Sequence, residues 1–295
     1  SKMQHQLQEV PYVRTDGKAK NATVIPVDFS LEGLTDEEIQ VIGHLSRASD
    51  GMTPIFAQQH YDRALEMFGA LVDLERTSED SAVRQTLGGY NSLFAARNSP
   101  WSSTDGLGLR FPLQRDQVPN GHQLREFTEL LMHGIQAPAG RSFYPVGITD
   151  AEVDALEDSL RVNSSVVQNG DGSLRVVLHE ERYKAELAPV IAAMERAKGT
   201  TSNESLQRYL AAKIDEFRTG SLEAREASNH AWLGLEGSID FVIGTAVESY
   251  LDKVKGVRSN AQATICRVNE TYQGFCDTFM AMLPELEERA PWEHK

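Results

Sequence analysis

The fold of the C-terminal half is decided by the segment Ile239-Asp-Phe-Val-Ile-Gly-Thr-Ala-Val-Glu248-Ser-Tyr250-Leu-Asp252, which is followed by Gly256-Val-Arg258. The segment begins as an apolar run and ends with a carboxylate, a phenol and a second carboxylate at alternate positions. Because alternate side chains of an extended strand share one face, Glu248, Tyr250 and Asp252 are expected on the same face. The pattern predicts a strand with an acidic face that also carries a hydrogen-bond donor.

Two interpretations fit such a strand. A carboxylate can hold the free α-amino group of a peptide through a charge-assisted hydrogen bond, and a phenol can donate to a carbonyl oxygen on which negative charge develops. The same alternation is also typical of an antiparallel strand with one buried and one solvated face. The pattern alone therefore leaves a peptide-binding strand and an ordinary half-buried strand open.

Other strands are predicted close to this segment. Two β-branched runs flank Asn169-Gly-Asp-Gly172, whose residues tolerate positive φ, and they predict a hairpin over residues 166–178. Residues 241–244 and 262–268 are predicted to pair as strands. Since helical patterns dominate elsewhere, the sequence indicates an α+β fold that is mostly helical, with a small antiparallel sheet in the C-terminal half.

The helical patterns suggest three regions. Residues 1–33 lack periodicity and are predicted to form an extended N-terminal arm. Residues 34–160 are predicted to be helical with long ordered loops. There, Thr35-Asp-Glu-Glu38 is a capping box that opens a helix, Pro54 is expected to separate it from a second helix over residues 56–75, and residues 88–120 are expected to be loop. Residues 161–295 contain the hairpin, further helices that include one over 272–289, and the strand pair.

The composition narrows the class of protein. The chain has 295 residues and a net charge of −14, and its basic residues are scattered, so nucleic-acid binding is not expected. No apolar run approaches the roughly 20 residues that span a bilayer, and no membrane partner is expected. The start Ser1-Lys-Met shows no signal peptide, although a removed one would leave the same sequence, and a cytoplasmic protein is predicted. Cys266 and Cys276 are too few for a disulfide framework and are predicted to be packed thiols.

The sequence supplies no convincing metal site. His179-Glu180 begins like a zinc motif, but a second histidine one turn later is required, and Tyr183 and Lys184 occupy those positions. The phosphate-binding glycine motifs and the Gly-x-Ser-x-Gly motif of serine hydrolases are also missing. We therefore predict that no metal is bound by ligands of this chain.

Five segments together resemble the dipeptidyl peptidase III family, whose members are zinc-dependent exopeptidases that remove dipeptides from peptide N-termini. The Glu248-Ser-Tyr250-x-Asp252 run with Gly256-x-Arg258 is the most specific of them. The segment from Val41 to Gln59 resembles a helix of the bacterial branch with the pattern Met-Asp-x-Ile-Phe-x-x-Gln. The other segments are Asn98-Ser-Pro100-Trp101 with Asp105-Gly106, Ala137-Pro-Ala-Gly140-Arg-Ser-Phe143-Tyr144-Pro145, and Arg267-Val-Asn-Glu leading to Pro291-Trp292.

The resemblance assigns roles to named residues. It implies that Glu248 anchors the α-ammonium group of the substrate and that Tyr250 donates to the scissile carbonyl oxygen. It also implies that Asp252 and Arg258 brace the strand. The family's corresponding lobe combines helices with a small β-barrel, which is the alternative to a small sheet here. This sequence has one residue more between Gly244 and Glu248 than the family's usual spacing.

Two aromatic residues are added to the predicted site on other grounds. Phe143 and Tyr144 fall in a predicted loop, and loops carry binding residues more often than regular elements do. Both are therefore predicted to contact a peptide substrate.

The family's zinc ligands lie beyond the matched region. They form a His-Glu-x-x-x-His or His-Glu-x-x-Gly-His helix followed by a later Glu. The resemblance therefore implies a substrate-gripping lobe, inactive alone, whose partner is a zinc-bearing lobe or subunit. A non-catalytic peptide-binding relative, or an interaction scaffold, is the alternative.

Overall fold

The computed structural model describes residues 8–13, 19–24, 30–101, 108–133, 137, 140–252, 254 and 256–291. Asp105, Gly106 and Trp292 of the resembling segments lie outside these residues. The strands are Gln8–Val13 (β1), Ala19–Val24 (β2), Ser164–Gln168 (β3), Leu174–Leu178 (β4), Ile239–Asp252 (β5) and Gly256–Arg267 (β6). The helices are Asp36–His60 (α1), Ala64–Thr77 (α2), Ser81–Arg97 (α3), Thr128–Met132 (α4), Asp150–Asp154 (α5), His179–Arg182 (α6), Lys184–Thr200 (α7), Glu204–Thr219 (α8), Leu222–Leu233 (α9) and Glu270–Glu288 (α10).

The α+β prediction is confirmed, in its form with small antiparallel sheets. The described strands pair as β1 with β2, β3 with β4, and β5 with β6, each pair antiparallel. The predicted hairpin is β3 and β4, joined through Asn169 to Gly172, where Gly172 has φ +86°. The predicted pairing of residues 241–244 with 262–268 is also observed, because Phe241 lies opposite Ile265 and Gly244 opposite Gln262.

Helix α1 begins as predicted but does not break where we expected. The Thr35 hydroxyl accepts from the Glu38 N–H, and the Glu38 carboxylate accepts from the Thr35 N–H, which confirms the capping box. The expected break at Pro54 is wrong, since the helix continues to His60. Met52 and Ile55 are buried on either side of Pro54, and the packing of these side chains offsets the loss of one backbone hydrogen bond. The chain turns at Tyr61, whose backbone is extended.

The loop predicted over residues 88–120 is wrong in its first part. Helix α3 continues through Gly88 and Gly89 to Arg97. The glycines favoured a loop in the sequence, yet α2 and α3 approach closely here. A Cβ on Gly88 would lie only 3.1 Å from Glu75 Oε1, and the Asn91 amide donates to Glu75 Oε2 over 2.7 Å. Gly88 therefore serves helix packing. Asn98 ends the helix with φ 51°.

Most buried apolar side chains of the described residues fall into three clusters. The first joins α1, α7 and α8 to β5 and β6 through residues that include Leu45, Leu210 and Phe241. The second holds α2 and α3 against the segment around Trp101 and Phe127. The third is small and lies between the 143–156 region and β3. Because the first cluster unites α1 with the strands near residue 250, the predicted boundary at 160/161 does not separate one core from another. The division into three regions stays a prediction.

Helix α10 presents a broad apolar face to solvent. Its exposed large side chains are Tyr272, Phe275, Phe279, Met280, Met282 and Leu286. The helix also carries several carboxylates, and no helix in the described part of the chain has the length and apolarity needed to cross a bilayer. Such an exposed apolar face is typical of a surface that contacts another protein segment.

The prediction that both cysteines are packed thiols is wrong. Cys266 near the end of β6 and Cys276 on α10 are free and exposed. Cys266 lies directly opposite Asp240 in the ladder, close to the end of the strand pair, where fewer side chains cover it.

The first cluster provides a test of the fold. Replacing Leu45 by Ala should lower the free energy of unfolding by about 3 kcal/mol, because Leu45 is fully buried and its loss leaves a cavity between α1 and its neighbours. Chemical denaturation measures the change. Leu65→Ala, at a position that is 43% exposed, is the control and should cost less than about 1 kcal/mol. Equal losses in the two variants would contradict the described packing of α1.

Candidate functional site

The predicted site lies in the second half of β5, immediately after a β-bulge. Gly244 pairs with Gln262 and Glu248 pairs with Asn260, so three residues of β5 lie opposite the single residue Ala261 of β6. Beyond the bulge the ladder is continuous from Glu248 to Asp252. The site's backbone is therefore the extended, paired strand that the sequence analysis requires. The extra residue noted between Gly244 and Glu248 falls within the bulge.

Glu248 has an exposed side chain on this strand. The next residue, Ser249, lies opposite Ser259, and their hydroxyl oxygens are 2.9 Å apart. This cross-strand hydrogen bond ties the two strands one residue beyond Glu248. The arrangement leaves the Glu248 carboxylate accessible to a cationic group.

Tyr250 and Asp252 are described by their backbones. Tyr250 lies opposite Arg258, and Asp252 lies opposite Gly256 at the end of the ladder. The side chains of Tyr250 and Asp252 lie outside the described part of the structure, and their roles stay predictions. Their backbone positions give the two-residue spacing from Glu248 on which those predictions depend.

Arg258 is buried and ties β6 to the 140–161 region. Its guanidinium lies 4.8 Å from the centre of the Tyr144 ring, donates to the Tyr144 hydroxyl oxygen, and donates to the Arg161 carbonyl oxygen over 3.1 Å. A buried guanidinium that bonds two separate loop positions limits movement of the strand it belongs to. The bracing role that the resemblance implies for Arg258 stays a prediction.

Phe143 and Tyr144 lie in the interior, which differs from the expectation that both contact a peptide. Phe143 is fully buried and Tyr144 is 3% exposed, and both belong to the third apolar cluster. The Phe143 ring lies 5.4 Å from the His179 ring. The expectation assumed a surface loop, but this loop is folded into the protein, where the Tyr144 hydroxyl accepts from the Arg258 guanidinium.

Polar residues that were not predicted from the sequence surround the bulge. The Thr245 carbonyl oxygen accepts from Gln59 Nε2 over 2.9 Å and lies 3.2 Å from His179 Nδ1. The Thr245 hydroxyl donates to Glu180 Oε1 over 2.5 Å. Side chains of α1 and α6 therefore hold the backbone and the side chain of the same bulge residue. The final Gln of the family's helix pattern, which corresponds to Gln59, was the only signal in the sequence.

A fourth contact completes the support of the bulge. Arg225 of α9 donates from Nη2 to the Ala246 carbonyl oxygen over 2.9 Å. Behind the bulge lies a cavity of about 260 Å³, which Arg225, Trp232 and Val247 help to line. Three helices thus hold the segment that precedes Glu248.

The two buried histidines near the site are neutral. Burial lowers the pKa of His179 to about 3 and that of His60 to about 4, and the nearby Arg141 guanidinium contributes to the second shift. Because a carbonyl oxygen only accepts, the contacts to Thr245 and Phe56 place the proton of each ring on Nδ1. The His60 Nε2 accepts from Arg141 Nη1 over 2.8 Å. Both rings therefore serve as fixed hydrogen-bonding groups.

The described residues do not fit a zinc site. They contain no cluster of three or more His, Cys, Asp or Glu side chains that could hold a metal ion. His179 and Glu180, the pair that begins like a zinc motif, are engaged with Thr245, and Glu180 also accepts from the Asn163 amide. The pair supports the bulge.

Comparisons with known proteins identify the class. The model of peptidase family M49 matches residues 145–295, which include the bulge, β5 and β6. The chain belongs to peptidase family M49.

Among individual proteins, the chain is similar to dipeptidyl peptidase 3 of Mus musculus and of Homo sapiens. The two are 28% and 29% identical to it over 111 residues, which are 37% of this chain and 15% of each relative. The fold is similar to solved structures of dipeptidyl-peptidase III. The structure from Corallococcus sp. strain EGB has a TM-score of 0.70 and 24% identity, and that from Caldithrix abyssi has a TM-score of 0.67 and 21% identity. These matches cover 91% and 89% of this chain, but only 46% and 45% of the solved chains. The chain thus spans about half the length of its structural relatives.

The neutral histidines predict a pH dependence of stability. Above pH 6.5 both histidines are neutral in the folded and the unfolded chain, so their full contribution to the free energy of unfolding is present. As the pH falls below 6.5 the unfolded chain takes up protons that the folded chain does not, until about pH 4 for His60 and about pH 3 for His179. Each histidine should cost about 2 kcal/mol of stability between pH 6.5 and pH 5.

Denaturation of variants at the two pH values measures this effect. Burial raises the pKa of Glu180, so this carboxyl group stabilises the folded chain as the pH falls and opposes the effect of the histidines. The informative quantity is therefore the difference in pH dependence between the wild-type chain and each variant. His60→Gln should remove about 2 kcal/mol of the pH dependence, whatever it does to stability at neutral pH. A His60→Gln variant with the wild-type pH dependence would contradict the neutral assignment.

Proposed function

We propose that this chain is the substrate-gripping part of a zinc-dependent exopeptidase of the dipeptidyl peptidase III type, which releases dipeptides from peptide N-termini. The observation that carries the proposal is the continuous ladder from Glu248 to Asp252, held behind a bulge whose polar atoms are bonded to three helices. Membership of family M49 makes a peptide the substrate class. The zinc-binding lobe belongs to a part of the protein outside these 295 residues.

Glu248 anchors the N-terminus of the peptide in this proposal. Its exposed carboxylate can accept charge-assisted hydrogen bonds from an α-ammonium group, which are about twice as strong as those between neutral groups. The net charge of −14 also favours the approach of a cationic group. A free N-terminus is the feature that distinguishes the substrate of an exopeptidase from an internal peptide segment.

Tyr250 is the proposed hydrogen-bond donor to the scissile carbonyl oxygen. Its backbone lies two residues beyond Glu248 on the continuous ladder, opposite the buried Arg258. A phenol fixed on a strand can donate to the oxygen on which negative charge develops during attack, and such stabilisation is a large contribution to catalysis. Asp252 and Arg258 support the strand in this scheme.

The apolar face of α10 is the proposed contact surface for the zinc-bearing lobe. Its exposed aromatic and methionine side chains form a surface that is unusual on an isolated protein. The solved relatives are about twice as long as this chain. A second half of an M49 protein is therefore the occupant that we propose for this face.

Calorimetry with a short peptide tests the grip. A peptide with a free N-terminus should bind the 295-residue chain at least about tenfold more tightly than its N-acetylated form, because acetylation removes the charge that Glu248 accepts. Glu248→Gln should remove this preference. Glu226→Gln, at an exposed carboxylate of α9, is the matched control and should keep it.

The same experiment decides between the competing readings. Equal affinity for free and acetylated peptide in the wild-type chain would contradict the gripping role. Absence of any peptide binding would favour an interaction scaffold related to the family.

Activity measurements test the assignment of zinc. This chain alone, with added zinc, should not hydrolyse a dipeptidyl-naphthylamide, because its described residues include no set of zinc ligands. The full-length dipeptidyl-peptidase III from Corallococcus is the positive control for the assay. Zinc-dependent turnover by the purified chain would overturn the proposal that the metal lies elsewhere.

A further inference from the structure

At the bulge on β5, buried backbone groups lack the hydrogen-bond partners that a regular ladder would supply. Residues 245–247 lie opposite Ala261 alone, and Thr245, Ala246 and Ala261 are all buried. Buried backbone N–H and C=O groups without partners cost about 1–3 kcal/mol each, so a stable bulge requires replacement hydrogen bonds. Side chains supply several of these bonds.

One carboxamide supplies a bond to each strand. Gln59, which is fully buried, donates from Nε2 to the Thr245 carbonyl oxygen over 2.9 Å. Its Oε1 accepts from the Ala261 N–H over 2.6 Å. The amide group therefore lies between β5 and β6 where the ladder is interrupted, and it links the two strands directly.

We propose that Gln59 is a positioning residue for recognition of the peptide N-terminus, an inference that rests on the proposed role of Glu248. By bonding both strands, Gln59 fixes the three-to-one pairing at the bulge and thereby the register with which Glu248 enters the ladder. A shift of one residue in that register would exchange the faces of Glu248 and Ser249. The Ser249–Ser259 contact across the ladder depends on the observed register.

The neighbouring supports cannot replace Gln59. His179 also contacts the Thr245 carbonyl oxygen, but it lies on the β5 side of the gap. Arg225 likewise bonds β5, through Ala246. Loss of Gln59 would leave the Ala261 N–H without the acceptor observed here, and the strands could then re-pair around a displaced bulge.

The first test is the effect of Gln59→Met on N-terminal discrimination. Methionine has a similar length but no strong hydrogen-bonding groups, so the ratio of the Kd for acetylated peptide to that for free peptide should fall at least about fivefold. Gln58→Met is the matched control, because the adjacent Gln58 bonds Glu186 and the Pro54 carbonyl oxygen instead of the strands. That variant should keep the wild-type ratio. Gln59→Leu, an apolar residue that also removes both hydrogen-bonding groups, provides a second variant if methionine prevents folding.

A double-mutant cycle with Glu248→Gln separates positioning from general stability. If Gln59 acts through Glu248, the double variant should bind free peptide no more weakly than Glu248→Gln alone. Faster amide exchange at Ala261 in Gln59→Met should accompany the loss of discrimination. Additive losses in the cycle, or an unchanged ratio in both folded Gln59 variants, would overturn the inference. A wild-type chain without any preference for the free N-terminus would instead overturn the proposed function itself.

Discussion

Hydrogen bonding at the bulge of β5 is the constraint on which the site depends. Where a ladder is interrupted at the surface, the freed backbone groups can form hydrogen bonds with water. This ladder is interrupted where Thr245 and Ala261 are buried. Side chains from α1, α6 and α9 contact backbone carbonyl oxygens of the bulge in place of ladder partners. The segment that precedes Glu248 is consequently fixed by several independent contacts. A backbone held in this way would need little further ordering in the proposed binding of a peptide.

The course of α1 explains how Gln59 reaches this position. The helix runs without a break from Asp36 through Pro54 to His60, and its buried face packs in the same cluster as Phe241 and other residues of β5 and β6. A helix that ended at Pro54 would leave the direction of the last turn undetermined. The uninterrupted helix instead delivers two buried polar side chains from its end, Gln59 to the strands and His60 to Arg141.

Local patterns in the sequence were sufficient for much of the fold and for part of the site. The capping box at Thr35, the hairpin around Asn169 to Gly172 and the strand from Ile239 are set by neighbouring residues, and each was predicted. Pro54 and Gly88 led to wrong predictions because tertiary packing overrode their local preference for a helix break or a loop. The exposure of Cys266 follows from its position near the end of the strand pair. The burial of Tyr144 and the contacts of Gln59 join residues more than 100 positions apart, which no local pattern records.

The separation between Gln59 and Ala261 also has a consequence for synthesis of the protein. The two residues are 202 positions apart, and ribosomes add roughly 5–20 residues per second. Helix α1 therefore emerges about 10–40 s before the strand whose backbone its last turn will bind. During that interval the Gln59 amide is without its partners on β5 and β6, whereas α7, which packs against the apolar face of α1, is translated earlier. The bulge therefore acquires its hydrogen bonds from Gln59 only after both strands have been translated.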